Sequence, residues 1–175
     1  MDTVIIEEGG QTLVPAPDEG TCGVLAQIQD ERIQLLGLLI RTNRRLHATL
    51  ARELEQSVGI PMVFFDVMIH VAGAPDGWLT MSQLSTDVSL TTGGVTRLVD
   101  RMAEAGLVAR ENCPNDRRSV HVVLTPRGHE VLGKAIDAHV EGIERHLIAH
   151  LDTTERAALS AALTKVLNGG AGQKR

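Results

Sequence analysis

The sequence has no tyrosine, one tryptophan and two phenylalanines among its 175 residues. So little aromatic surface excludes an aromatic core, and the interior must be aliphatic. Cysteine is scarce as well. Cys22 and Cys113 have no metal-ligand spacing, and two cysteines do not make a disulfide framework. No apolar run approaches the roughly 20 residues that cross a bilayer, which speaks against a membrane partner. The first twenty residues hold Asp2, Glu7, Glu8, Asp18 and Glu19 but no Lys or Arg. A secretory signal opens on a basic stretch, so none is expected and the expected compartment is the cytoplasm. A Gly-rich phosphate loop, HExxH and GxSxG are all missing. Their absence argues against an enzyme and gives no reason to expect a cofactor.

The charge that is present is unevenly placed. The formal net charge is −5, and the five acidic residues of the first twenty account for all of it. From Thr91 to Arg127 six arginines face Asp100, Glu104, Glu111 and Asp116, a local balance of +2. Local sign on a contacting surface matters more than the total. Fourteen of the seventeen basic residues are arginine, the residue suited to bidentate contacts with phosphate and guanine.

Hydrophobic periodicity orders the rest. Residues 1–20, acidic and rich in Gly and Pro, read as a flexible tail. Leu25, Ile28, Leu35, Leu36, Leu39, Leu46, Leu50 and Leu54 recur at helical spacing, predicting one long helix to Val58 with a bend at Gly37. Pro61 opens a second helix to Ala72. Trp78–Leu79 predict a short strand, and Thr80 with Gln83 a capping box for a third helix to Val88. Ser89–Leu90 form a turn before a fourth helix, Thr91–Ala105, closed by Gly106. Leu107–Glu111 and Val120–Leu124 read as a hairpin. Thr125-Pro126 starts a fifth helix to His150, and Asp152 with Glu155 caps a last one to Leu167. The fold class is mainly α with a small β-hairpin wing: a winged helix-turn-helix flanked by N- and C-terminal dimerisation helices. The expected segments are a tail over 1–20, a dimerisation helix over 21–60, the winged module over 61–128, C-terminal dimerisation helices over 129–168 and a tail over 169–175. The terminal helices carry more apolar surface than one central module buries, which predicts a homodimer.

The fourth helix and the hairpin carry the chemistry. At 100° per residue Val95, Leu98, Val99 and Met102 face a core, while Arg97, Asp100, Arg101 and Glu104 face away. Thr91, Thr92, Gly93 and Thr96 lie toward its start, where small and hydroxyl side chains allow close approach to base edges and phosphates. Backbone donors near Thr80–Ser82 suit a phosphate. In the hairpin loop Asp116 can hold an arginine, leaving Arg117 or Arg118 to enter a minor groove. A helix that fits a groove, beside an arginine-tipped arm, points to double-stranded DNA as partner.

Residues from about Met62 to Gly128 resemble the MarR family of winged-helix transcription regulators. The run Thr96-Arg97-Leu98-Val99-Asp100-Arg101, the Gly106-Leu107-Val108 step, Asp116-Arg117-Arg118 and Leu124-Thr125-Pro126-Arg127-Gly128 match the family's pattern in order. The resemblance implies an intertwined homodimer, binding to a pseudo-palindromic operator, most often repression, and in many members release by a small aromatic or phenolic ligand. Some urate-responding relatives use an acidic residue in the second helix with a Trp in the first, and Leu25–Val58 contains no Trp. Peroxide-sensing relatives carry a reactive Cys near the position of Cys22, paired with Tyr side chains that this chain lacks.

The second helix offers a candidate effector site. Asp66 and His70 are polar residues in an apolar segment, spaced i and i+4 so that they can meet, with Val63, Phe64, Val67 and Val71 as walls. Its alternative is a structural pair. A switch through Cys22 or Cys113, or a winged module used for protein contacts, is the competing reading of the whole chain. His146 and His150 share helical spacing, but nothing converges on them, so no metal is expected.

Overall fold

The structure, a computed structural model, describes residues 28–88, 91–112 and 120–170. The acidic tail, Cys22, Cys113, Ser89–Leu90 and the loop bearing Asp116, Arg117 and Arg118 lie outside the described residues. The chain divides into two units, up to Asn43 and from Arg44 onward.

Helix α1 (Glu31–Val58) starts after Asp30, whose carboxylate accepts the Arg32 backbone N–H at 2.8 Å and pairs with the Arg32 guanidinium at 2.6 Å. Leu25, where the sequence predicts the start of this helix, lies outside the described residues. In the first unit Ile33, Leu35, Leu36, Leu38, Leu39 and Ile40 are exposed within the single chain.

In the second unit α1 ends at Gly59, where φ of +77° needs a residue without Cβ. Pro61 is then the N-cap of α2 (Met62–Gly73), so the helix begins one residue later than the sequence suggests. Helix α2 is central. Met62, Phe64, Phe65, Val67, Met68 and Val71 are all buried, which is why its sequence lacks a polar face.

Strand β1 (Trp78–Thr80) leads into α3 (Met81–Asp87), and the Thr80–Gln83 capping box forms as expected. Helix α4 (Thr92–Glu104) is capped by the Thr91 hydroxyl, which accepts the Gly94 N–H at 3.2 Å. Thr91 and Ala105 are therefore its caps rather than its ends. Val95, Val99 and Met102 are fully buried and Leu98 nearly so, as the 3.6-residue period predicts.

Strands β2 (Val108–Asn112) and β3 (Val120–Leu124) form the hairpin, and β1 joins its far side to give an antiparallel sheet in the order β1-β3-β2. Trp78 stacks flat on His121, with ring centres 3.4 Å apart, and buries that histidine.

Helix α5 (Pro126–His146) begins at the Thr125 cap. The Thr125 hydroxyl accepts the Gly128 N–H at 2.9 Å and donates to the Gly106 carbonyl at 2.6 Å. A Cβ at Gly128 would sit 2.0 Å from the Leu107 carbonyl oxygen. Only glycine lets the start of α5 lie against the end of the α4–β2 turn. Farther along, Gly142 brings α5 onto Leu50 and Glu53 of α1. The Glu53 carboxylate there pairs with Arg145 at 2.9 Å and His146 at 2.7 Å.

Helix α5 stops at His146 rather than His150. A 3₁₀ turn (Ile148–His150) follows, so His146 and His150 do not share a helical face. Asp152 and Glu155 cap α6 (Thr153–Gly170) reciprocally at 2.9 Å, and the helix continues three residues past Leu167. Among the described residues no single helix is long and apolar enough to cross a membrane.

Candidate nucleic-acid interface

Helix α4 is held on one side by its buried stripe, which leaves Gly93, Thr96 and Arg97 exposed on the other. A Cβ at Gly93 would meet nothing within 4 Å, so that face is open to close approach. Arg97 has no hydrogen bond or ion pair among the described residues. Thr91 is exposed, although its hydroxyl already serves the helix cap. The side chain of Thr92 lies outside the description.

At the start of α3 the Thr80 donors are used within the helix cap. The Thr80 N–H and hydroxyl both donate to the Gln83 side chain, at 2.8 and 2.7 Å. Helix α3 is a single cap-closed stretch of seven residues, and Thr80 offers no spare donor to a phosphate. Ser82 is exposed, and its carbonyl accepts the Ser85 and Thr86 hydroxyls.

Arg101 is exposed, as the helical wheel predicts, and its guanidinium lies over the Phe64 ring, 5.4 Å from the centroid. A long side chain can cover neighbouring apolar surface while its head stays wet. Asp100 is also engaged. Arg110 of β2 donates to its carboxylate through one guanidinium nitrogen and to the Thr96 carbonyl, at 3.3 Å, through the other. Sequence reasoning gave Arg110 no role, because its partners lie across a turn on another element.

The hairpin below α4 is in place up to the Asn112–Val120 pair. The expected contacts of Asp116, Arg117 and Arg118 belong to the loop beyond it, outside the described residues.

On α2, Asp66 and His70 do not meet through their side chains. His70 Nδ1 lies 2.7 Å from the backbone oxygen of Asp66 instead. The Asp66 carboxyl is half-buried, and burial pushes its pKa up, opposed by the charges of His47, His70 and His139. His139 of α5 was not visible in sequence. Its ring packs on Phe65 at 4.8 Å, its Nδ1 is buried without a partner, and burial pulls its pKa down. Of the expected walls, Phe64, Val67 and Val71 are core residues, and only Val63 is partly open. An open surface cleft of about 380 Å³ lies elsewhere, lined by Glu53, Gln56, Ser57, Ala138, Glu141 and Arg145.

Known proteins share this arrangement. Residues 58–119 match the MarR family model. The chain is 30% identical over 104 residues to the transcriptional regulator PecS of Dickeya dadantii, a match covering 58% of this chain and 61% of PecS. It thus spans about three fifths of that relative's length. It is 30% identical over 132 residues to the multiple antibiotic resistance protein MarR of Escherichia coli, covering 75% of this chain and 90% of that protein. Among solved structures, AbsC of Streptomyces coelicolor superposes with a TM-score of 0.72 at 28% identity, covering 83% of this chain and 97% of AbsC. A mutant E. coli MarR complexed with operator DNA gives 0.68 at 29% identity, covering 79% and 96%. On this likeness, the chain belongs to the MarR family of transcription regulators.

Proposed function

We propose that this protein is a homodimeric, DNA-binding repressor of transcription that reads a pseudo-palindromic operator and leaves it when a small molecule binds. The observation that carries the DNA reading is α4: one face is locked into the core, and the other presents Gly93, Thr96 and Arg97 beside an arginine-bearing hairpin. A related regulator solved with operator DNA supports it. Two-fold symmetry places two such helices in successive major grooves, with half-site centres about 34–36 Å apart.

The dimer reading rests on apolar residues left exposed in the single chain. Leu35, Leu36 and Leu39 lie on α1, and Leu159, Leu163, Val166 and Leu167 on α6. A second copy of the chain covers both stretches in this reading.

The effector is a small, aromatic or phenolic molecule oriented by Asp66 and His70, with Val63 and Val67 on the same side of α2. The half-buried Asp66 carboxyl, which has no ion-pair partner within hydrogen-bond reach among the described residues, is what supports this site. A ligand releases DNA only through unequal affinity for the two arrangements of the dimer.

Sequencing the DNA that the purified protein retains from its own genomic fragments tests the main reading. Enrichment of one inverted-repeat motif is expected, and uniform retention would reject sequence-specific regulation. Thermal-shift screening of phenolic acids and purines tests the effector. A hit whose DNA release is unchanged in both Asp66→Asn and His70→Ala would remove these residues from the site.

A further inference from the structure

Helix α4 is fixed on its inner side by packing, but a packed stripe of aliphatic side chains tolerates some rotation about the helix axis. A helix with side chains has a diameter of about 10–12 Å, so turning it by about 20° carries a side-chain tip through about 2 Å. Groups that must meet base edges need tighter control than that, on the order of 0.5 Å and 10–20°. A second restraint on the exposed side of α4 is therefore to be expected near Thr96 and Arg97.

Arg110 is placed to supply it. In β2 it stands opposite Val122, which is fully buried, so its side chain leaves the sheet on the face turned toward the core. Its guanidinium then reaches two acceptors on α4, the Asp100 carboxylate and the Thr96 carbonyl. Residues 96 and 100 are one helical turn apart and lie on the same face. A planar fork gripping two points one turn apart resists rotation of the helix, whereas a single point charge would act as a pivot. Arg97 sits between those two points in sequence. The Arg110 side chain is about one-third exposed and both its terminal nitrogens are engaged, so it is not arranged as a free phosphate contact.

We propose that Arg110 is a positioning residue for sequence reading: it fixes the rotation of α4 against the wing, and so the angle at which Thr96 and Arg97 are presented. The proposal rests on the DNA-reading function above. It separates Arg110 from the arginines that touch DNA, and it assigns Asp100, an acidic residue on a surface meant for a polyanion, its reason for being there.

The test uses the full chain and two duplexes: the one that wild type selects from a random-sequence library, and an unselected random duplex. Each is titrated at several salt concentrations against wild type, Arg110→Lys, Asp100→Asn and the double variant. Arg110→Lys keeps the charge and loses the fork. It is expected to lower the ratio of selected to random affinity by about tenfold or more, with the salt dependence unchanged. Asp100→Asn is expected to lower the same ratio while raising affinity for the random duplex, because a negative charge has left the surface. The double variant is expected to lose no more than the worse single one. Thermal midpoints identify any variant that is simply unfolded, and Asp100→Asn, a near-isosteric change, then decides the matter by itself. A wild-type ratio within twofold in both single variants would overturn the positioning role. So would an equal loss on both duplexes with a shallower salt dependence, the signature of a direct phosphate contact. Failure of wild type to select any duplex would instead reject the DNA reading, and this inference with it.

Discussion

The guanidinium of Arg101 lies over the ring of Phe64, 5.4 Å from its centre, and so joins the C-terminal end of α4 to α2. Arg97, one helical turn earlier on α4, has no such partner among the described residues.

Arg101→Ala is expected to destabilise the fold by about 0.5–1 kcal/mol, the worth of an exposed cation–π contact, and to leave the ratio of operator to random-duplex affinity within about twofold. Arg97→Ala is expected to do the reverse. Stability stays within about 0.5 kcal/mol of wild type, and discrimination falls by about 1–3 kcal/mol if Arg97 reads a base. Urea unfolding combined with duplex titration measures both. A loss of discrimination in Arg101→Ala equal to that in Arg97→Ala would return Arg101 to the reading surface.

The joint between the wing and α5 makes a second prediction. Gly128→Ala puts a methyl group 2.0 Å from the Leu107 carbonyl oxygen, where only a backbone shift relieves the clash. A loss of about 1–3 kcal/mol or more is expected, as for overpacking elsewhere. Thr125→Ala removes the cap and should cost about 1 kcal/mol. Neutral behaviour of Gly128→Ala in a denaturant titration would mean that α5 does not lie against Leu107 in solution.

The pH dependence of stability has opposing parts. Burial lowers the His139 pKa below 6.5 in the folded chain, so the unfolded chain binds more protons between the two values. This contribution is complete above pH 6.5 and is lost as pH falls below it. Burial raises the Asp66 pKa above 3.8, so that group's contribution is complete below pH 3.8 and is lost as pH rises through the folded value. His139→Gln is expected to flatten the fall in thermal midpoint just below pH 6.5. Asp66→Asn is expected to raise the midpoint at neutral pH relative to wild type. Unaltered pH profiles in both would show that the two groups are solvated.

The exposed leucines give a fourth. If a second copy covers α1 and α6, Leu36→Glu or Leu163→Glu enters a two-fold interface twice. Each side loses the burial of one leucine, about 1.5–3 kcal/mol, and gains a charge. Equilibrium sedimentation at micromolar concentration is expected to find wild type dimeric and the variants shifted toward monomer. A monomeric wild type would reject the dimer.

What could be read in the sequence was what repeats locally. The stripe Val95, Leu98, Val99, Met102 follows from helical period alone, and the caps at Thr80, Thr125 and Asp152 follow from a residue and its neighbour three positions on. Strand β3 was legible to the residue because its run Val120–Leu124 is apolar almost throughout. The misses are long-range. Asp66 draws on His139, more than seventy positions away, and Arg110 on partners across a turn, so neither spacing nor charge pattern marks them. The break after His146 was hidden because Leu147, Ile148 and Leu151 continue an apolar rhythm through the 3₁₀ turn.

The stack of Trp78 on His121 gives the molecule a built-in optical label. The chain has one indole and no phenol, so its near-ultraviolet emission comes from a single site, the sheet that carries the wing. Any event that slides β1 along β3 or unstacks the two rings changes the surroundings of that one fluorophore. If the hairpin moves when a duplex binds, selective excitation of the indole reports it in the unmodified protein, with no dye attached.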